Sequence, residues 1–128
     1  TTHPPVGDPI DLEAIAKHRG TSPRQIAKQI SNGLAEAALA TLAQAQGEIA
    51  SCFSSGGDVT ASLFHLAETE AIKILGDVIP LTAYVELIGG RLHGLRMVTK
   101  GGSIGDESAL VDCVQFLLDE LQPALDQR

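Results

Sequence analysis

Glu48-Ile49-Ala50-Ser51-Cys52-Phe53-Ser54-Ser55-Gly56-Gly57-Asp58-Val59-Thr60 decides the reading of this chain. Its first part, Glu48 to Phe53, is short and largely apolar, as a buried strand would be. A glycine pair follows, and then Val59, Leu63 and Leu66 recur at helical spacing as far as Ala67. The stretch reads as strand, glycine turn, helix. A second turn, Lys100-Gly101-Gly102-Ser103-Ile104-Gly105-Asp106, follows the apolar run Leu95–Thr99 and precedes an amphipathic run. A turn that opens a helix leaves backbone N–H groups unpaired and facing outward, which suits a phosphate. A single glycine pair is more often a plain connection. Two such turns, one led by a lysine, predict a shared phosphate site.

Upstream of this stretch, residues 1–7 are Pro-rich and aperiodic and read as a linker or disordered lead-in, leaving 8–128 as one domain. Asp8-Pro9 is expected to start a short helix ending near Arg19, with Leu12, Ile15 and Ala16 as its apolar stripe. Ser22-Pro23 starts the longest helix, which carries Ile26, Ile30, Leu34, Ala37 and Ala38 on one face and stops at Gly47. Its Ala-rich second half is expected to lie close against a sheet. Downstream, Ala71–Gly76, Ala83–Ile88 and Leu95–Thr99 read as strands, with an irregular passage at Pro80 and a turn at Gly89-Gly90. A last helix spans Glu107–Gln122, with Leu110, Val114, Leu117, Leu118 and Leu121 on one face, and Pro123 disfavours its continuation. The order predicts an α/β fold, a three-layer sandwich with a mixed sheet flanked by helices. Ligands in such folds sit at the carboxyl ends of strands, where both turns fall.

Composition narrows the function. The 128 residues suffice for one domain with its own core. Aromatic residues make up 3% and Trp is absent, so the core is aliphatic and no base-stacking platform is available. A net charge of −7 also argues against a nucleic-acid partner. An anionic ligand would need local compensation from helix N-termini, Lys100 and a divalent cation. Cys52 and Cys113 lack CxxC spacing and read as reduced thiols of a cytoplasmic protein rather than a disulfide. No stretch has the length of a membrane span and no leader pattern opens the chain. The start at Thr1 without Met reads as a fragment of something longer. His3, His18, His65 and His93 have no metal-ligand spacing, and neither a GxSxG elbow nor a P-loop occurs. Glu68 and Glu70 read as solvated, and Arg91 and Arg96 straddle the last hairpin with nothing to fix them.

Within the turns, Gly56 and Gly57 permit positive φ and let a phosphate approach the main chain. Asp58 reads as a helix N-cap, with water-mediated Mg²⁺ binding as the sharper alternative. Lys100 is either a phosphate partner or a solvated side chain. Ser103 is a turn serine that could also donate to phosphate, and Asp106 is expected to cap the last helix.

Taken together, Ser55-Gly56-Gly57-Asp58, the helix after it, Gly76-Asp77-Val78 and Lys100-Gly101-Gly102-Ser103-Ile104-Gly105 resemble the C-terminal nucleotide-binding domain of the four-carbon acid sugar kinases. That family usually reads GGDT or GGET at the first turn and KSGxxG at the second. The resemblance covers roughly Glu48 to Val114. It implies that ATP, with Mg²⁺, is contacted by Ser55, Gly56, Gly57, Asp58 and Val59 on one side and by Lys100, Gly101, Gly102 and Gly105 on the other. It further implies ATP-dependent phosphorylation of a four-carbon sugar acid, a tetronate or 3-oxo-tetronate, held by a separate N-terminal domain. The chain has no room for that domain, so it is expected to be inactive alone; catalytic residues stay unassigned and a homodimer stays open. Three positions depart from the pattern: Val59 replaces Thr, Gly101 replaces Ser, and Leu81 stands where a Gly commonly follows Pro80. They motivate a second reading, a non-catalytic interaction or regulatory domain that kept the fold and lost the nucleotide. A third is a subunit working with a separately encoded sugar domain.

Overall fold

A computed structural model of the chain describes residues 10–45 and 48–125, with side chains as far as Leu121. The described residues form helices α1 (Leu12–Arg19), α2 (Pro23–Gln44), α3 (Gly57–Leu66) and α4 (Ala109–Leu125) and strands β1 (Ser51–Ser55), β2 (Ala71–Gly76), β3 (Thr82–Ile88) and β4 (Arg96–Lys100). The sheet order is β1-β4-β3-β2. β1 runs parallel to β4, whereas β3 is antiparallel to both β4 and β2. This is the predicted mixed sheet in an α/β fold. The expected lead-in at residues 1–7, the Asp8-Pro9 start and the Gly47 stop lie outside the described residues.

Alternation along the central strands explains the layers. Met97 and Val98 are consecutive on β4 and both fully buried, so this strand is covered on both faces. One face, with Val85, Leu87 and Met97, packs on Leu63 of α3, on Ala67 just after it, and on Ala35 and Leu39 from α2. The other, with Tyr84 and Val98, packs on Cys113 and Leu117 from α4. Tyr84 meets Phe116 edge to face, with ring centroids 4.9 Å apart. The core is aliphatic, as the composition predicts.

Several sequence expectations are corrected. Side-chain capping of α1 comes from Asp11, which accepts from the Ala14 amide at 2.9 Å, so the helix proper begins at Leu12. α2 packs along α1 and α3 and joins the core cluster of the sheet through Ala35 and Leu39. Its buried residues are Ile26, Ala35 and Leu39, while Leu34 is 48% exposed. Ile26 and Ala35 are about two and a half turns apart at 3.6 residues per turn, so the helix buries opposite sides at its two ends. α4 likewise buries Ala109, Cys113 and Leu117 and leaves Leu110, Val114 and Leu118 outside. It carries two apolar stripes, and sequence periodicity does not choose between them. α4 also runs through Pro123 to Leu125, and only two helical residues follow the turn that the proline disturbs.

Cys52 and Cys113 belong to opposite faces of the sheet, both as free thiols. Burial pushes both thiols above the ordinary cysteine range, so the reactive thiolate is scarce at neutral pH. Cys113 should therefore resist thiol reagents in the native protein and react once urea unfolds it; equally fast native and unfolded reaction would contradict its burial. Leu87→Ala, at a fully buried site on β3, should cost about 2–5 kcal/mol in a urea titration.

Candidate functional site

The parallel β1–β4 pair puts both glycine turns at one edge. Ser55 is the register partner of Lys100, and the Gly56 amide donates to the Lys100 carbonyl at 2.9 Å. From there the turns stay together: a Cβ built on Gly102 would sit 3.8 Å from the Gly56 Cα, ordinary van der Waals contact. Gly57, Asp58, Gly102, Ser103 and Gly105 are exposed, and Gly56, Val59, Lys100 and Gly101 are half-buried. Ser55 ends β1 with its side chain exposed. Gly56 and Gly102 are thus brought together, and Gly57, Lys100 and Gly101 share one cleft, whereas Gly105 packs toward Ala109 and Ile79 on the α4 side.

Their individual geometry changes several roles. Gly56 is the N-cap of α3 at φ 107°, a conformation that disfavours any side chain. Gly57 is already helical, so the positive φ expected of it is absent and the space beside it is open. Asp58 is the second helical residue and does not cap: no side chain caps α3. α1 and α2, by contrast, carry side-chain caps from Asp11 and Ser22. The first-turn amides of α3 are thereby left to solvent or to an acceptor from outside. The Gly56 carbonyl is tied down from below. Thr60 donates to it at 3.0 Å, and its hydroxyl lies 2.7 Å from that of Ser54, both hydroxyls being buried.

The second turn differs from the first. It does not open a helix directly, because a turn at Glu107 and Ser108 comes before α4 starts at Ala109. Asp106 accepts from the Ser108 amide and hydroxyl, each at 2.9 Å, and these bonds lower its carboxyl pKa. Lys100 folds back on its own loop, donating from Nζ to the carbonyls of Gly101 at 2.8 Å and Ile104 at 2.6 Å. Two of its three N–H donors thus brace the turn, and by count one remains. A Cβ on Gly101 would meet Ile104 Cγ1 at 2.7 Å, so Ile104 occupies the room a serine side chain would need.

A cleft of about 350 Å³ opens beside the turns, lined among others by Gly57, Thr60, Ala61, Phe64, Thr99 and Lys100. Leu81 forms part of its rim and is 78% exposed at φ 65°. A left-handed conformation costs a residue with a side chain roughly 1–2 kcal/mol. The connection stays in this shape because Thr82 Oγ1 accepts from the amides of Val78 and Ile79, each at 3.1 Å, and donates to the Ile79 carbonyl. Leu81 is thus the departure that carries visible strain. Sequence reasoning missed Ala61, Phe64, Thr82, Ala83 and Thr99. On α3 their pattern reads as ordinary helix, and on the strands their shared face is set by register. Arg96 lies 3.7 Å from Glu86, and His18, His65 and His93 are not among the residues lining this cleft.

An α/β sheet with paired glycine turns at the carboxyl ends of two parallel strands, beside an uncapped helix, has the build of a nucleotide-binding domain. A family model described as a nucleotide-binding C-terminal domain matches residues 1–110, and the chain belongs to that family. It is similar to D-erythronate kinase of Heliobacterium modesticaldum, with 36% identity over 90% of this chain and 26% of the kinase. It is also similar to D-threonate kinase of Salmonella typhimurium, with 24% identity over 83% of this chain and 25% of that enzyme. The chain therefore spans about a quarter of the length of these relatives. A crystal structure of a protein of unknown function from Bordetella bronchiseptica, a citrate-bound domain-swapped dimer, shares the fold. Its TM-score is 0.57 at 24% identity, covering 75% of this chain and 22% of that one. No helix among the described residues is long and apolar enough to cross a membrane.

Two substitutions separate the supports of this edge. Thr60→Val leaves the buried Ser54 hydroxyl without its partner and should cost about 1–3 kcal/mol in chemical denaturation. Leu81→Gly relieves the left-handed strain and should stabilise the fold by up to about 1 kcal/mol. Loss of stability in the glycine variant would mean that Leu81 packs more than its exposure indicates.

Proposed function

We propose that this chain is the ATP-binding part of a four-carbon acid sugar kinase, with the nucleotide phosphates lying between the two glycine turns. The carrying observation is the uncapped N-terminus of α3, in contact with the second turn at the mouth of a cleft. A helix N-terminus contributes up to about 2 kcal/mol toward a partly buried anion. Ser55, Gly56, Gly57, Asp58 and Val59 would contribute from one side, and Lys100, Gly101, Gly102 and Gly105 from the other. Glycine in both turns allows close approach of phosphate to main chain, and the remaining Lys100 N–H can add a charged donor.

Mg²⁺ fits the same edge. Among the described residues no group of three or more His, Cys, Asp or Glu could hold a metal unaided. Mg²⁺ usually takes one or two carboxylates together with phosphate oxygens and waters. Asp58 is the carboxylate for that role, since it caps nothing and its charge would otherwise repel the phosphates. When bound, the ion supplies charge neutralisation on the transferring phosphoryl group. Phosphoryl transfer is mostly positioning and charge stabilisation, so the acceptor sugar acid must be held in line. The names of the two kinase relatives support erythronate- or threonate-like acids as acceptors, and the missing three quarters of their length support a separate sugar-binding domain. The rival reading, a domain that has lost its nucleotide, is favoured by the engagement of Lys100 with its own loop.

Titrating Mg-ATP while following amide shifts decides between them: movement at residues 55–60 and 100–106 is expected, and none at millimolar nucleotide would leave the rival reading. Gly57→Val is a clean probe, because Gly57 is helical with open space beside it. It should keep the fold while weakening ATP binding. The chain alone should not phosphorylate erythronate or threonate, and turnover at an ordinary kinase rate would overturn the need for a second domain.

A further inference from the structure

We propose that the outer edge of β1, together with the apolar flank of α4 above it, pairs with the same edge of a second copy of this chain, joining two sheets across a two-fold axis. β1 ends the sheet, and among the described residues no strand lies beyond it. The two edges of the sheet are built differently. β2 carries Lys73 and a register shift between Ile74 and Gly76, two features that discourage pairing with another chain. β1, Ser51-Cys52-Phe53-Ser54-Ser55, has no charge, no proline and no register shift. Because the Gly56 amide reaches β4, alternation turns the main-chain groups of Ser51, Phe53 and Ser55 outward. The Phe53 carbonyl takes a weak bond from the Cys52 thiol at 3.7 Å.

A second apolar surface continues this edge. Phe116 and Glu120 of α4 reach Tyr84 of β3, and Cys113 and Leu117 rest on the sheet. The opposite flank of the helix, with Leu110, Val114 and Leu118 four residues apart, is therefore turned away from β3 and toward the β1 side. Leu110 and Leu118 are each 54% exposed, and Val111 beside them 65%. A helix packed on one sheet needs one apolar stripe, and α4 has a second with nothing over it among the described residues. A two-fold axis normal to the sheet at Phe53 satisfies both surfaces at once. It runs β1 antiparallel to its copy, with Phe53 opposite Phe53 and Ser51 opposite Ser55, and sets the two α4 flanks facing each other over the seam. Charge selects this occupant. With a net charge of −7 the chain repels its own copies, so a contact between copies has to run through neutral surface. The edge and the stripe are uncharged, whereas Asp112 and Asp119 sit on the far side of α4, held by Ser108 and Gln115. A basic partner would find no carboxylate along β1 or the stripe to engage.

Sedimentation of the whole chain should give twice the 13.4 kDa monomer mass at micromolar concentration. The amides of Phe53 and Ser55 should then exchange more slowly as concentration rises, a readout that needs no variant. Leu118→Lys, at an exposed position of α4, should keep the fold and weaken the dimer by about tenfold or more. Ser51→Pro, at the first residue of β1 with its amide facing outward, should weaken it as well. Ile74→Lys, on the β2 edge, should leave the dimer mass unchanged. A monomer at millimolar concentration overturns the pairing and leaves this edge to a segment of a longer protein. A dimer that survives both Leu118→Lys and Ser51→Pro, or that Ile74→Lys dissociates, is built on another surface and overturns it too.

Discussion

The site depends on the pairing of β1 with β4 in parallel, at a register that sets Ser55 against Lys100. An antiparallel pairing would send the two glycine turns to opposite ends of the sheet. Parallel strands cannot be joined by a tight hairpin, so the chain makes its crossover through α3, β2 and β3 before β4 returns beside β1. That crossover carries α3 across the sheet face with its N-terminus at the strand ends. The Gly56–Lys100 backbone bond then extends the ladder by one step into the turns themselves.

Around this edge, groups that elsewhere would stabilise a turn are arranged differently. The helices remote from the cleft close their first turns with side chains, and α3 does not. The cap residue Gly56 sits at φ 107°, which glycine adopts without steric cost, whereas Leu81, on the cleft, sits at φ 65° under strain. Beneath them, buried hydroxyls from Ser54, Thr60 and Thr82 hold the main chain in place. Rigidity below and open main chain above suit a surface that must meet an anion without rearranging. Of the three departures from the family pattern, each has a physical account here. Val59 is followed by a threonine whose hydroxyl serves the Gly56 carbonyl, Gly101 makes room for Ile104, and Leu81 tolerates a glycine-like conformation at some strain.

Much of the architecture was legible in the chain. The strand at Ala71–Gly76 has the bounds expected of it, and the glycine-punctuated order of elements specified an α/β sandwich. Both turns were visible because glycine pairs after apolar runs have few other uses. Local signals of this kind survive in sequence, since backbone conformation at a turn is decided by the residues that make it.

What only the tertiary structure decided was direction and facing. Leu110, Val114 and Leu118 form as good an apolar stripe as Cys113 and Leu117, and only the position of the sheet shows which one is buried. The role of Lys100 was open for the same reason: a lysine before a glycine turn can reach a ligand or its own loop, and the path of Gly101–Ile104 turns two donors inward. The cleft residues Ala61, Phe64 and Ala83 carry no chemical signature, because an apolar wall is made by register between elements distant in sequence. Sequence by itself determined the elements and the turn chemistry, through short-range sterics and hydrogen bonding. Which surfaces meet was decided by long-range packing, where alternatives of equal hydrophobicity differ only in what lies across from them.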